Sequence, residues 1–245
     1  MSRLSRSESA PLLCYVTDRR SLVAARPNGT FKILQQRIAA AAAAGVDWIQ
    51  IREKDLSGKE CSALVREAVR IAASSWPGAS ASSPPSSRNK AAREYVSTRI
   101  FANDRLDVAL VAQAGGAHLG GKSLPVEQAR RLVKSLRGEE DFLIGVSCHS
   151  LETAKAAERG GADYLFFGPV FTTPSKAAYG APQGLKRLVE VCRAIAIPVL
   201  AIGGITLENA ADCLSAGASG IAAIHLFQDA ADLVAVVDAL QKLSG

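Results

Sequence analysis

The residues of this chain with the most chemistry in them fall into a few short clusters. In Gln50-Ile51-Arg52-Glu53-Lys54 an extended backbone puts Gln50, Arg52 and Lys54 on one side and Ile51 and Glu53 on the other. Two cations and an amide on one side suit an anion, and the competing reading is a salt-bridged layer with Glu53 or another acid. Asn103-Asp104 stops an apolar run. Its carboxylate could ligate a divalent metal completed by water and phosphate, or the pair could cap a helix; both readings stand. Ser147-Cys148-His149-Ser150 brings a hydroxyl and an imidazole able to transfer protons near neutral pH, while Ser150 reads as the cap of a helix starting at Leu151. Thr173, Ser175 and Lys176 put two hydroxyls and a cation into a long loop after Gly168, a composition suited to diphosphate and to closure. Gly203-Gly204 stands directly before a helix, and Ile224-His225 ends the last apolar run. Backbone N–H groups at such glycines can approach a phosphate monoester. His118, His149 and His225 have no carboxylate spacing that would make a zinc site.

One site results only if the fold brings these clusters to a common mouth. A recurring phrase suggests which fold does so: a helix rich in small residues ends near Gly, and a short apolar strand begins at once, as at Ala44-Gly45-Val46-Asp47, Ala114-Gly115-Gly116-Ala117, Gly160-Gly161-Ala162-Asp163 and Ala216-Gly217-Ala218-Ser219. Glycine accepts the left-handed conformation that closes a helix, so each phrase predicts a tight connection from helix to strand. Continuous apolar strands suit a parallel sheet buried on both faces. Strands are predicted near 12–17, 46–52, 98–102, 117–119, 142–147, 162–167, 197–202 and 218–224, and helices near 30–44, 57–74, 104–113, 125–137, 150–159, 184–195, 206–216 and 229–243. Alternation also permits an open doubly wound sheet, but eight regular units favour an α/β fold closed as a single-domain (β/α)8 TIM barrel. The clusters above then lie at strand C-termini, where barrel chemistry occurs.

The barrel is expected over 11–245, after a polar N-terminal tail at 1–10. A Ser/Pro-rich stretch at about 74–97 reads as a flexible insertion on the N-terminal face, away from the chemistry. The 29 Lys and Arg against 23 Asp and Glu leave a net charge of +6, scattered rather than blocked, which points to small anions and away from nucleic acid. Cys14, Cys61, Cys148, Cys192 and Cys213 occur singly beside apolar residues and read as reduced core thiols. Met1 to Pro11 has no apolar h-region, and no run reaches the roughly 18 apolar residues of a membrane span, so a cytoplasmic protein is expected. A homo-oligomer is left open.

Gln50-Ile51-Arg52-Glu53-Lys54, Asn103-Asp104, His118-Leu119-Gly120, Gly145-Val146-Ser147, Gly168-Pro169-Val170-Phe171 with Thr173-Pro174-Ser175-Lys176, and Ala201-Ile202-Gly203-Gly204-Ile205-Thr206 together resemble the family of thiamin phosphate synthase and its relative, thiazole tautomerase. The likeness runs in family order over nearly the whole chain after residue 10, apart from the insertion. It implies a transferase joining two small substrates, hydroxymethylpyrimidine diphosphate and a thiazole phosphate, with Mg2+ as cofactor. On that resemblance Arg52, Lys54, Thr173, Ser175 and Lys176 bind diphosphate, and Asn103 and Asp104 sit at Mg2+ and diphosphate. Gln50 and Ser147 line the pyrimidine pocket, and Gly203, Gly204, Ile224 and His225 lie beside the thiazole phosphate. Two departures stand out. Gly121-Lys122-Ser123 replaces the usual segment ending in a second metal-binding Asp, so that no carboxylate stands at Ser123, and His225 replaces a small Ser. Lys122 offers charge there without the bridging geometry of a metal. Both departures lean toward the tautomerase, whose acid/base histidine corresponds to His149, whereas the Thr-Pro-Ser-Lys run leans toward the synthase. A non-catalytic protein that binds thiamin precursors is the third reading.

Overall fold

The computed structural model describes residues 10–22, 29–75, 98–138, 141–173 and 181–243. The expected N-terminal tail lies outside these, apart from Ala10, as does the insertion beyond Ser75, up to residue 97. The strands β1 (Leu12–Val16), β2 (Trp48–Ile51), β3 (Arg99–Asn103), β4 (Gly116–Leu119), β5 (Leu143–Cys148), β6 (Tyr164–Phe167), β7 (Val199–Ile202) and β8 (Gly220–Ala223) pair in parallel in sequence order, and β8 closes on β1. This is the expected (β/α)8 barrel. The helices are α1 (Gly29–Ala43), α2 (Gly58–Ser74), α3 (Leu106–Val111), α4 (Val126–Arg137), α5 (Leu151–Arg159), α6 (Gly184–Ala194), α7 (Leu207–Ser215), α8 (His225–Gln228) and α9 (Leu233–Gln241).

Strand alternation divides the core into two sets. Leu13, Ile49, Ala102, Leu165 and Ile221 face outward and pack with Ile38, Leu64, Ala109, Leu188 and Val237 of the helices. Cys14, Val16, Trp48, Phe101, Leu143, Tyr164, Phe166, Leu200 and Ala222 fill the interior. The interior is aromatic, with Trp48 and Tyr164 ring centroids 4.6 Å apart and Phe101 edge-on to Tyr164 at 5.6 Å. Rings this large fit only where the facing strands have no side chain. A Cβ at Gly116 would lie 2.6 Å from Phe101 Cε1, and one at Gly145 would lie 2.1 Å from Tyr164 Cζ.

The connections from helix to strand follow the sequence phrase, with one shift. Gly45, Gly161 and Gly217 are left-handed, but at the fourth phrase the left-handed residue is Gln113 (φ 54°) rather than Gly115. Two phrases end in Asp, and each Asp ties its strand to a neighbour: Asp47 Oδ2 accepts from Leu13 N–H at 2.8 Å, and Asp163 Oδ2 accepts from Ile144 N–H at 2.7 Å. Both acids lie at strand starts, on the N-terminal face.

Capping boxes open α2 (Ser57 and Glu60), α5 (Ser150 and Thr153) and α7 (Thr206 and Asn209), bearing out Ser150 as a cap. Two helices differ from expectation. The one predicted at 104–113 shortens to Leu106–Val111, because Asp104 takes a left-handed φ of 61° that no helix accommodates. The one predicted at 229–243 shortens to α9, started at Leu233 by the Asp232 side chain accepting from Ala235 N–H, and the short α8 before it was not expected. All five cysteines are free, four of them buried and Cys192 half-buried. Among the described residues no helix is long and apolar enough to cross a membrane.

Gly145→Ala should therefore overpack the interior against Tyr164. The expected loss is about 1–3 kcal/mol, read as a fall of several degrees in Tm by calorimetry; an unchanged Tm would show that the ring is not confined as described.

Candidate active site

The C-terminal ends of the strands surround one cavity of about 560 Å3. Gln50, Arg52, Lys54, Asn103, Asp104, Ser147, His149, Thr173, Gly203, Gly204, Ile224 and His225 all line it, so every described site residue expected from sequence converges here. Ser175 and Lys176 lie outside the described residues.

The β1 and β2 ends are locked together before any ligand is considered. Thr17 Oγ1 donates to Glu53 Oε1 at 2.6 Å and accepts from Arg52 N–H at 3.0 Å. The Glu53 carboxylate also accepts from Arg19 N–H at 3.0 Å, and the Arg19 guanidinium reaches Asp55 at 2.6 Å and lies over Phe31. Burial raises the Glu53 pKa, opposed by the Thr17 and Arg19 hydrogen bonds. The expected opposition of Glu53 to Arg52 and Lys54 holds, and among the described residues the salt-bridged layer does not form: the cation paired with Glu53 is Arg19. Because β2 ends at Ile51, Gln50 alone of the three lies inside the barrel, while Arg52 is half-buried and Lys54 exposed at the rim.

Asp104 fixes the hydrogen-bond polarity of the floor. Its Oδ1 accepts from Gly120 N–H at 2.8 Å and from the Ser123 hydroxyl, and its Oδ2 accepts from Asn103 Nδ2 at 2.6 Å. A carboxylate only accepts, so Asn103 must turn its NH2 toward Asp104 and its oxygen toward Gln50. Gln50 Nε2 donates to that oxygen at 2.7 Å, which leaves Gln50 Oε1 buried without a partner among the described residues. Asp104 is thus not the helix cap that was one of its readings. The residue before α3 is Arg105, and the Asp104 side chain is engaged by the loop after β4.

His149 Nδ1 bonds the Gly168 carbonyl, and because a carbonyl oxygen only accepts, Nδ1 is the donor in this contact. Gly203 and Gly204 both have left-handed φ, 95° and 68°, and side chains there would strike Pro169 and Phe171. The β6 and β7 loops therefore pack against each other through glycine. His225 starts the short α8 and pairs with Asp229 at 2.8 Å.

Sequence reasoning missed the role of His118. It is not a mouth residue but is buried within β4, 1% exposed, with its ring 4.1 Å from that of Phe166. Nε2 lies 2.9 Å from Ser147 Oγ and Nδ1 lies 3.3 Å from Tyr164 Oη. Burial lowers its pKa to about 3, so the ring is neutral. Alternation was the available signal, since His118 shares the inward parity of Gly116.

Among the described residues no group of three or more His, Cys, Asp or Glu is placed to hold a metal ion. The set at the mouth is one carboxylate, Asp104, beside the Ser123 hydroxyl. Hard oxygen donors of this kind fit Mg2+, which commonly takes one or two carboxylates and completes its shell with water and substrate phosphate.

The family described as thiamine monophosphate synthase matches residues 87–227. A relative named putative thiamine-phosphate synthase from Geobacter sulfurreducens is 41% identical over 187 residues, covering 76% of each chain. A thiamine-phosphate synthase from Methanocella arvoryzae is 39% identical over 83% of this chain and 84% of its own. The solved structure of a thiamine phosphate pyrophosphorylase from Pyrococcus furiosus is 31% identical, superposes with a TM-score of 0.71 and covers 95% of both chains.

The Gly203-Gly204 packing generates its own test. Gly204→Ala puts a Cβ 2.6 Å from the Thr172 carbonyl oxygen at a φ that alanine resists, so the β6 loop must shift. A Tm lowered by several degrees is expected, with binding of a phosphate monoester weakened about ten-fold by calorimetry. Unchanged phosphate binding would detach these glycines from the anion site.

Proposed function

The chain belongs to the thiamine monophosphate synthase family, and from that premise we propose that it joins hydroxymethylpyrimidine diphosphate to a thiazole phosphate, forming thiamin monophosphate and releasing diphosphate. The observation that carries the reading is the convergence on one cavity of three cations, Arg52, Lys54 and Lys122, with an acceptor-only carboxylate, a polar floor and a glycine-rich cradle. Such a set suits two anionic substrates side by side.

In this reading Arg52, Lys54 and Lys176 take the negative charge that grows on the departing diphosphate, with Thr173 and Ser175 donating to its oxygens. The bond between the pyrimidine methylene carbon and the diphosphate oxygen breaks, and its electron pair leaves with the diphosphate. The thiazole nitrogen then supplies the pair for the new C–N bond. Gln50 and Ser147 hold the pyrimidine edge, and Gly203, Gly204, Ile224 and His225 hold the thiazole phosphate, which sets nitrogen and carbon within reach. Asp104 is the protein carboxylate for Mg2+, which when bound neutralises diphosphate charge. Ser123 supplies a hydroxyl where a second carboxylate is usual, so Lys122, which lines the cavity, adds the missing positive charge. We place the reaction in the cytoplasm.

His149 supports the second reading. With Nδ1 engaged by the Gly168 carbonyl, Nε2 is the nitrogen left to carry a proton between carbon atoms, as a tautomerase needs. The two readings separate by mechanism. A synthase loses about ten-fold or more in coupling on Lys176→Ala and less on His149→Asn, and a tautomerase acting on thiazole carboxylate phosphate shows the reverse order. Purified protein assayed with both substrate sets is expected to couple and not to tautomerise. Binding of thiazole phosphate with turnover of neither set would instead support a non-catalytic protein. Asp104→Asn should lower Mg2+-dependent coupling far more than it lowers Tm, and full turnover in chelator would remove Asp104 from the metal and weaken the synthase reading.

A further inference from the structure

We propose that Tyr164 and His118 are positioning residues: together they fix the Ser147 hydroxyl as a hydrogen-bond donor into the cavity, so that this part of the floor reads an unprotonated ring nitrogen. The inference rests on the synthase reading for the identity of the ligand, but not for the hydrogen-bond chain itself.

Tyr164 and His118 are each 1% exposed. Among the described residues the only hydrogen-bond partner of the Tyr164 hydroxyl is His118 Nδ1. Burial raises the Tyr164 pKa, so the phenol keeps its proton, and that buried O–H needs a lone pair on the imidazole nitrogen it faces. Two arrangements are possible. With the proton on Nδ1, the Tyr164 O–H faces another donor and is left buried without an acceptor, which folded proteins avoid. With the proton on Nε2, Tyr164 donates to Nδ1 and Nε2–H donates to Ser147 Oγ, so every buried donor is satisfied. The second arrangement is therefore adopted. Ser147 Oγ receives the imidazole proton, and its own O–H turns to the cavity it lines. The stacked Phe166 holds the imidazole plane.

Gln50, which lines the same cavity, has the opposite polarity in its buried amide oxygen. Its orphan Oε1, oriented through Asn103 by Asp104, can only accept. One fixed donor and one fixed acceptor match a heteroaromatic edge with an amino N–H and a bare ring nitrogen. An edge with a carbonyl and a ring N–H has the reverse pattern and is rejected.

The first test uses the free wild-type protein. Long-range 1H–15N correlation of the His118 ring is expected to show a protonated Nε2 and a bare Nδ1, and a protonated Nδ1 overturns the proposal. The second is a double-mutant cycle on binding of hydroxymethylpyrimidine diphosphate. Tyr164→Phe should weaken binding about five- to ten-fold in the wild-type background and less than about two-fold in the Ser147→Ala background, with the KM for thiazole phosphate unchanged. An equal loss in both backgrounds would mark Tyr164 as merely structural and sink the idea; if Tyr164→Phe does not fold, the ring nitrogens alone decide. A correct tautomer without coupling activity would overturn the synthase reading and leave the hydrogen-bond chain standing, and full coupling with the wrong tautomer would do the opposite.

Discussion

The volume match inside the barrel is the constraint on which the rest depends. Four large rings, Trp48, Phe101, Tyr164 and Phe166, share the interior, and the space for two of them exists only because Gly116 and Gly145 contribute no side chain. That match sets the strand register, since a slip by one residue would turn the rings toward the helices and point helix-facing residues inward. The register in turn decides what emerges at the mouth. Gln50, Asn103, His118 and Ser147 stand on the same inward parity as the rings beneath them, so the packed core continues directly into the polar floor.

At that floor the controlling property is direction. Gln50, Asn103, Ser147 and His118 can each donate or accept, and left to themselves would offer a ligand several patterns. Two groups remove the choice. Asp104 can only accept, which orders both amides in sequence, and Tyr164 has a buried O–H that must be used. Preorganisation of this kind means that little reorientation is needed when a ligand arrives. The mouth rim differs in kind. Among the described residues Arg52 and Lys54 are held by backbone geometry rather than by partners of their own, since Thr17 and Glu53 grip the chain beside them.

Much of this was legible in the sequence. The glycine phrases located the strands, and alternation over Gln50 to Lys54 put Glu53 opposite the cations. The convergence of twelve expected residues on one cavity followed from the barrel. The failures share a cause: each concerned what a polar group bonds across strands, which local sequence does not encode. Asp104 and Asn103 carry the residue types of a helix start, yet Gly120 and Ser123, distant in sequence, claim the carboxylate. Glu53 suggested a partner among its neighbours and found Arg19 instead. His118 read only as one of three histidines without zinc spacing, because nothing nearby in the sequence reveals that Tyr164 and Ser147 flank it. Gln113 took the left-handed position of a glycine because the phrase at 114–117 is offset by two residues.

Asp47 and Asp163 belong to the other end of the barrel, where each holds the backbone of the neighbouring strand. Asp47 and Asp163 thus hold the strands at the end opposite Asp104, while Glu53 holds β1 and β2 together at the mouth. In evolutionary terms the far end can stay fixed while residues around the cavity change. A replacement at Ser123 or at His225 leaves untouched the Asp47 and Asp163 bonds that keep the strands aligned. Divergence within one scaffold can then proceed by few replacements at the rim.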